Sequence, residues 1–180
     1  GRSPVLLVVR LHVGYAGEAA KGARPSAGGN AVEVYPNWPN LAVMMFHCAR
    51  SWGKRPMLRW HRDGAWHGMD WGEFARQAAS VARRLREAGV AAGDRVLIVS
   101  ENRPEYPIAE TALLAIRAVP VPAYVTNTVD DHAHVLRDCG ARAAIVSTTA
   151  LAERVAAAGP LDLLVTMDKT PLAGDATPVA

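Results

Sequence analysis

The segment Val96-Leu97-Ile98-Val99 is an unbroken apolar run, with Gly93-Asp94-Arg95 before it and Ser100-Glu101-Asn102-Arg103-Pro104 after it. A strand with one wet face alternates apolar and polar residues. A run without alternation belongs to a strand buried on both faces, as in parallel sheets with helices on either side. The flanking segments agree. Trp71 to Ala88 puts Phe74, Ala78, Val81, Ala82 and Leu85 on one face and Arg76, Arg83, Arg84 and Glu87 away from it, an amphipathic helix that stops at Gly89 and must cover a sheet. After Val99, Pro104 suits the first turn of a helix, where its missing N–H is not needed, and Ile108, Ala112, Ala115 and Ile116 supply a buried stripe.

Val119 to Tyr124 is a second strand, but Pro120 and Pro122 remove two ladder donors and predict an edge or a turn there. Thr128 followed by Asp131 resembles a capping box with a shorter acid, which predicts a helix from Val129 to about Cys139 that ends at Gly140. Ala143 to Ser147 reads as a third strand, Leu151 to Ala158 as a helix and Leu161 to Thr166 as a fourth strand. Strand and helix thus alternate from Arg95 to Thr166, which implies right-handed crossovers. The predicted fold class is α/β, a parallel sheet with helices on both faces.

A helix and a hairpin precede this region. Asn40 is placed to cap a helix with Leu41, Met44, Met45 and Cys48 at helical spacing, ending near Trp52 and Gly53. Met57 to Arg62 and Trp66 to Asp70 flank Asp63-Gly64, a hairpin turn signal, and the hairpin is expected at a sheet edge. From Gly14 to Asn30 the chain lacks apolar periodicity, so residues 1–36 are expected to be a mostly disordered leader. Residues 37–168 are the expected α/β subdomain, incomplete, and residues 169–180 a loop or truncated linker.

At 180 residues, half of them hydrophobic, the chain is long enough for one principal core. Residues 50–86 carry nine basic and three acidic side chains, whereas residues 87–180 carry seven and twelve. The basic stripe Arg76, Arg83, Arg84, Arg86 has no interleaved aromatics, so it reads as a solvated helix face and no nucleic-acid partner is expected. Cys48 and Cys139 have neither a CxxC nor a histidine at metal spacing and read as two buried thiols of a cytoplasmic protein. Val5 to Val9 is far short of the roughly 20 residues of a membrane span, and none is expected.

In parallel α/β sheets ligands bind beyond the carboxyl ends of the strands, which singles out Ser100-Glu101-Asn102-Arg103 and Thr126-Asn127-Thr128. Glu101 and Glu105 are a possible carboxylate pair, yet Glu105 falls in a first helical turn, where an acid is favoured by the dipole. Ser147 has no general base near it in the pattern, and helix capping explains it. His132 and His134 point to different faces of a helix and cannot chelate one ion together. Neither a G-x-G-x-x-G fingerprint nor a Walker loop is present. No catalytic, cofactor-binding or metal-binding residue is assigned.

Four short motifs in series carry a resemblance: Met69-Asp70-Trp71-Gly72-Glu73-Phe74, Gly89-Val90-Ala91-Ala92-Gly93-Asp94-Arg95-Val96, Glu101-Asn102-Arg103-Pro104-Glu105 and Val121-Pro122-Ala123-Tyr124. Over roughly residues 40–168 their order and spacing resemble the first part of acyl-CoA synthetases of the AMP-binding, adenylate-forming superfamily. The Glu-Asn-Arg-Pro-Glu and Thr-Asn-Thr versions look most like the long-chain fatty acyl branch. The resemblance implies that a carboxylate attacks ATP to give an acyl-adenylate and pyrophosphate, and that the CoA thiol then displaces AMP, with magnesium balancing phosphate charge. ATP, magnesium and CoA are therefore cofactors of a parent enzyme, a fatty acid or other carboxylate its substrate, and a downstream half of the ligase the partner of this chain. The family's phosphate loop, ribose-binding Asp and catalytic Lys have no counterpart before Ala180, so the chain by itself is expected to be silent and to bind none of these tightly. One departure is Arg117, where the family usually has Gly before the Val-Pro strand; a bulky cation there either strains the packing or snorkels outward. The alternatives are a stand-alone interaction or regulatory module on the same scaffold and a small flavodoxin-like nucleotide binder.

Overall fold

The computed structural model describes residues 37–168, so the predicted leader and linker lie outside the described residues. The chain divides into two compact units rather than one, with the division in sequence between Arg76 and Gln77.

In the first unit, helix α1 (Leu41–Trp52) starts where the Val43 N–H donates to Asn40 Oδ1 at 2.9 Å and ends at Gly53, whose N–H returns to the Ala49 carbonyl. Strands β1 (Pro56–Arg62) and β2 (Ala65–Asp70) pair antiparallel around Asp63 and Gly64, both with positive φ (51° and 77°). Two successive residues of that hand are what a two-residue hairpin turn needs, which is why Asp-Gly serves there. The hairpin forms a two-stranded sheet of its own rather than lying at the edge of the parallel sheet. Its ladder is closed by its own turn, so pairing with another strand is not required. At its end Asp70 Oδ1 accepts the Glu73 N–H at 2.7 Å and starts α2 (Trp71–Glu87), an acid at a helix N-terminus.

The second unit holds β3 (Arg95–Val99), α3 (Glu105–Ala115), β4 (Val119–Ala123), α4 (Val129–Cys139), β5 (Ala143–Val146), α5 (Thr149–Ala158) and β6 (Leu163–Thr166). The four strands are all parallel, in the order β4-β3-β5-β6. Val96, Leu97, Ile98 and Val99 have no exposed surface, as a strand covered on both faces requires. One face of the sheet packs Leu97, Val99, Ala144 and Val146 against Leu136 of α4 and Leu151 and Val155 of α5. The alternate residues Val96, Ile98 and Ile145 point to the other face, where a right-handed crossover puts α3 with its buried Ile108, Ala109, Ala112 and Leu113.

β4 is an edge strand, as its prolines predict. The Val119 N–H donates to the Asp94 carbonyl at 2.7 Å, so by alternation the positions of Pro120 and Pro122 are those whose N–H would point away from β3, where none is missed. In α3 the stripe is shifted from the expected one: Ala115 is exposed and Ile116 only half-buried, because the helix stops at Ala115. Pro104 stands just before the first helical residue, and Pro107 occupies the first turn, where no N–H is needed. The two cysteines are half-buried rather than buried.

Helices α2 and α3 end in the same way. The Gly89 N–H reaches the Arg86 carbonyl and the Val90 N–H the Leu85 carbonyl; the Arg117 N–H reaches Leu114 and the Ala118 N–H reaches Leu113. Both are Schellman closures, which place the residue after the C-cap in the left-handed region. In α2 that residue is Gly89, φ 95°; in α3 it is Arg117, φ 64°, with its side chain in solvent. The departure at Arg117 is therefore strain in the backbone and not in side-chain packing.

Candidate functional site at the carboxyl edge of the sheet

The strand order reverses at β3, which has β4 on one side and β5 on the other. In open α/β sheets the crevice at such a switch point, beyond the carboxyl ends of the two central strands, is the place for a ligand. Here that place lies between the ends of β3 and β5, and it is filled by this chain's own side chains. Arg103, on the loop after β3, donates from Nε to Glu105 Oε2 at 2.9 Å and from Nη1 to the Ser147 carbonyl at 3.2 Å and Asp168 Oδ1 at 3.3 Å. One guanidinium thus ties together the loops that follow β3, β5 and β6. Its pKa is raised, first by the hydrogen bond to Glu105 and then by Asp168, so it stays charged at every relevant pH.

A second tie crosses the crevice: Ser147 Oγ donates to the Glu101 carboxylate, and the Ser147 N–H to the Val99 carbonyl at 3.0 Å. Sequence reading gives Ser147 no base and assigns it to capping. The structure corrects both, since Glu101 is its partner and Thr148 caps α5 through the Leu151 N–H. The signal was not local, because the two residues are 46 positions apart and meet only when β3 and β5 pair. Ser147 has no exposed surface, so a Ser–carboxylate pair here does not present a nucleophile. Ser100 Oγ donates to the Glu101 carbonyl at 2.9 Å and completes the loop. Asn102 is exposed.

Glu101 and Glu105 do not work as a pair: Glu105, 4 % exposed, faces Arg103, whereas Glu101 faces Ser147. Counted together, Arg103 carries one positive charge against three carboxylates, Glu101, Glu105 and Asp168. An edge with that balance repels phosphates, and no glycine-rich cradle of N–H groups stands behind it. No group of three His, Cys, Asp or Glu side chains suited to a metal ion occurs among the described residues. These residues therefore do not fit ATP or its magnesium, and what they build is a clasp that fixes three loops.

The second polar cluster lies beyond β4. Thr128 and Asp131 form the predicted capping box, with the Asp131 N–H on Thr128 Oγ1 at 3.2 Å and the Thr128 N–H on Asp131 Oδ2 at 2.9 Å. Arg154 of α5 donates to the Val125 carbonyl at 2.9 Å and the Asn127 carbonyl at 3.3 Å, holding the loop before α4. His132 is wholly buried and His134 exposed, so they are on different faces as expected. Arg83, Arg84 and Arg86 lie exposed along α2. A shallow groove of about 170 Å³, lined by Gly89, Asp94, Arg95, Gly140, Arg142 and Asp162, opens at the amino ends of the strands. Its cations are engaged: Arg95 donates to the carbonyls of Cys139 and Gly140 at 2.8 and 3.1 Å, and Arg142 forms a fork with Asp162 at 2.6 and 2.7 Å. No helix among the described residues is long and apolar enough to cross a membrane.

The chain matches the family described as AMP-binding enzyme over residues 45–178. A long-chain-fatty-acid–CoA ligase, FadD15 of Mycobacterium tuberculosis, is 36% identical over 117 residues, 65% of this chain and 20% of that protein. A feruloyl-CoA synthase of Amycolatopsis is 35% identical over 111 residues, 59% of this chain and 22% of that protein. Among solved structures, a benzoate CoA ligase from Burkholderia xenovorans LB400 aligns with a TM-score of 0.62 at 28% identity, covering 73% of this chain and 26% of that one. A Mycobacterium tuberculosis fatty acyl CoA synthetase aligns with a TM-score of 0.60 at 18% identity, over 69% of this chain and 26% of that one, a likeness of fold. The chain spans about a fifth of the length of each of these two curated relatives.

Proposed function

This chain belongs to the AMP-binding enzyme family, and from that premise we propose that residues 37–168 are the opening α/β part of an ATP-dependent acyl-CoA synthetase. The observation that carries the reading is the family match over residues 45–178 joined to the identity with a fatty-acid–CoA ligase. The reaction joins a carboxylate to the CoA thiol by way of an acyl-adenylate, and a long-chain fatty acid is the substrate class that the FadD15 identity supports. ATP supplies the adenylyl group that activates the carboxylate, magnesium the charge balance and CoA the acceptor thiol. They are bound by residues outside the part described here, since the carboxyl-edge clasp does not fit them. The role of this part is to hold the scaffold: Arg103 and Glu101 fix the loops that leave β3, β5 and β6. A downstream half of the ligase is the partner, and the cytoplasm, where ATP and CoA are available, is the compartment.

A flavodoxin-like nucleotide binder is disfavoured by the same geometry, because its ligand would occupy the crevice that Arg103, Glu101 and Ser147 close. The test of the proposal is ATP–pyrophosphate exchange with palmitate and magnesium on the purified 180-residue chain. No exchange above background is expected, and measurable palmitate-dependent exchange would overturn the assignment of the chemistry to other residues.

A further inference from the structure

Among the described residues, His132 is the one buried titratable side chain that neither the clasp nor the caps employ. It has no exposed surface, and both ring nitrogens lack a hydrogen-bond partner. The charged groups that act on it are Arg154 from α5 and Asp131 from its own helix. Asp131 is exposed and committed to the Thr128 N–H and hydroxyl, and Arg154 is held in place by the carbonyls of Val125 and Asn127. A proton added to the ring would face a fixed cation with no buried acceptor, which makes the closed packing of α4 incompatible with a charged His132.

We propose that His132 and Arg154 make the start of α4, with the loop 125–128 before it, a proton-operated latch that opens in mild acid. Burial, and then Arg154, lower the His132 pKa below its ordinary 6.5, against a smaller opposing effect of Asp131. Above pH 6.5 the ring is neutral whether the helix is docked or open, and the latch is shut. Below it the open form takes up a proton that the closed form refuses, so opening becomes easier until the pH reaches the lowered closed-state value. Between pH 7.5 and 5.5 the open population should rise, by at most about ten-fold, the change in 1 + 10^(pKa − pH) for an open-state pKa near 6.5.

Amide hydrogen exchange of the 180-residue chain, corrected for intrinsic rates, reads this directly. The peptides covering residues 125–139 should lose protection, by up to about ten-fold, from pH 7.5 to 5.5 relative to β3 and β5, and His132→Leu should abolish the difference. NMR titration of the wild-type His132 ring is the companion measurement, which no misfolded variant can spoil. The ring should titrate below its ordinary 6.5 in the folded chain. Equal protection at both pH values, a loss of protection that persists in His132→Leu, or a ring that titrates normally in the folded chain would each overturn the latch.

Discussion

Replacing Arg117 with glycine should stabilise this protein, although it deletes a whole side chain. Arg117 closes α3 at φ 64°, its N–H donates to the Leu114 carbonyl at 3.1 Å and its own carbonyl accepts the Gly93 N–H at 2.8 Å. The backbone is thus pinned in the left-handed region from both sides, where an L side chain costs about 1–2 kcal/mol. Glycine removes that cost but adds freedom to the unfolded chain worth about 0.5–1 kcal/mol. The Arg117 side chain is exposed and makes no hydrogen bond or ion pair among those described, so little packing is lost. The net is a gain of about 1 kcal/mol, which for a chain of this length is about 3 °C in Tm or about 0.5 M in urea midpoint. Gly89 provides the mirror experiment, because it occupies the same closure at φ 95° at the end of α2 and a Cβ there would meet nothing within 4 Å. Gly89→Ala should therefore destabilise by about 1 kcal/mol through backbone strain alone. Urea melts of the three proteins decide it. An R117G midpoint at or below wild type would refute the assignment of strain to this turn.

Other substitutions test the remaining devices. Arg103→Met removes the cation between two carboxylates, with Glu105 nearly buried, and should cost about 3 kcal/mol in urea unfolding; Arg103→Lys keeps the charge but not the fork and should recover only part. Thr128→Ala removes the α4 cap at a cost of about 1 kcal/mol. The hydrogen bond from the Thr128 N–H, then that from its hydroxyl, hold the Asp131 carboxyl below its ordinary 3.8. Stability from that contact is present above pH 3.8 and lost as the pH falls through the lowered value, so an acid titration of wild type should show a loss that Thr128→Ala reduces.

Most of the second unit was legible because each element is specified by its neighbours in sequence. The run Val96–Val99, the cap at Thr128 and the stop at Gly140 are local instructions, and the elements sit where these residues place them. The prolines of β4 even gave its edge position, since a missing donor is tolerable on one side of a strand only. What was illegible depends on distance along the chain. The hairpin is a sheet of its own, which its turn signal does not reveal, and the Ala115 end of α3 shows only when the Schellman closure at Arg117 is drawn. The clasp joins Arg103 to Asp168 and Glu101 to Ser147, pairs that come together through parallel strand pairing and leave no periodic trace.

If residues 37–168 are the opening part of an acyl-CoA synthetase, its chemistry is supplied by residues beyond them, and reading the encoding nucleic acid past the codon for Ala180 decides this. The expected result is an in-frame continuation into a Gly-, Ser- and Thr-rich phosphate loop, followed far downstream by a catalytic lysine. A stop codon directly after Ala180 would refute the proposal and assign the chain a function of its own.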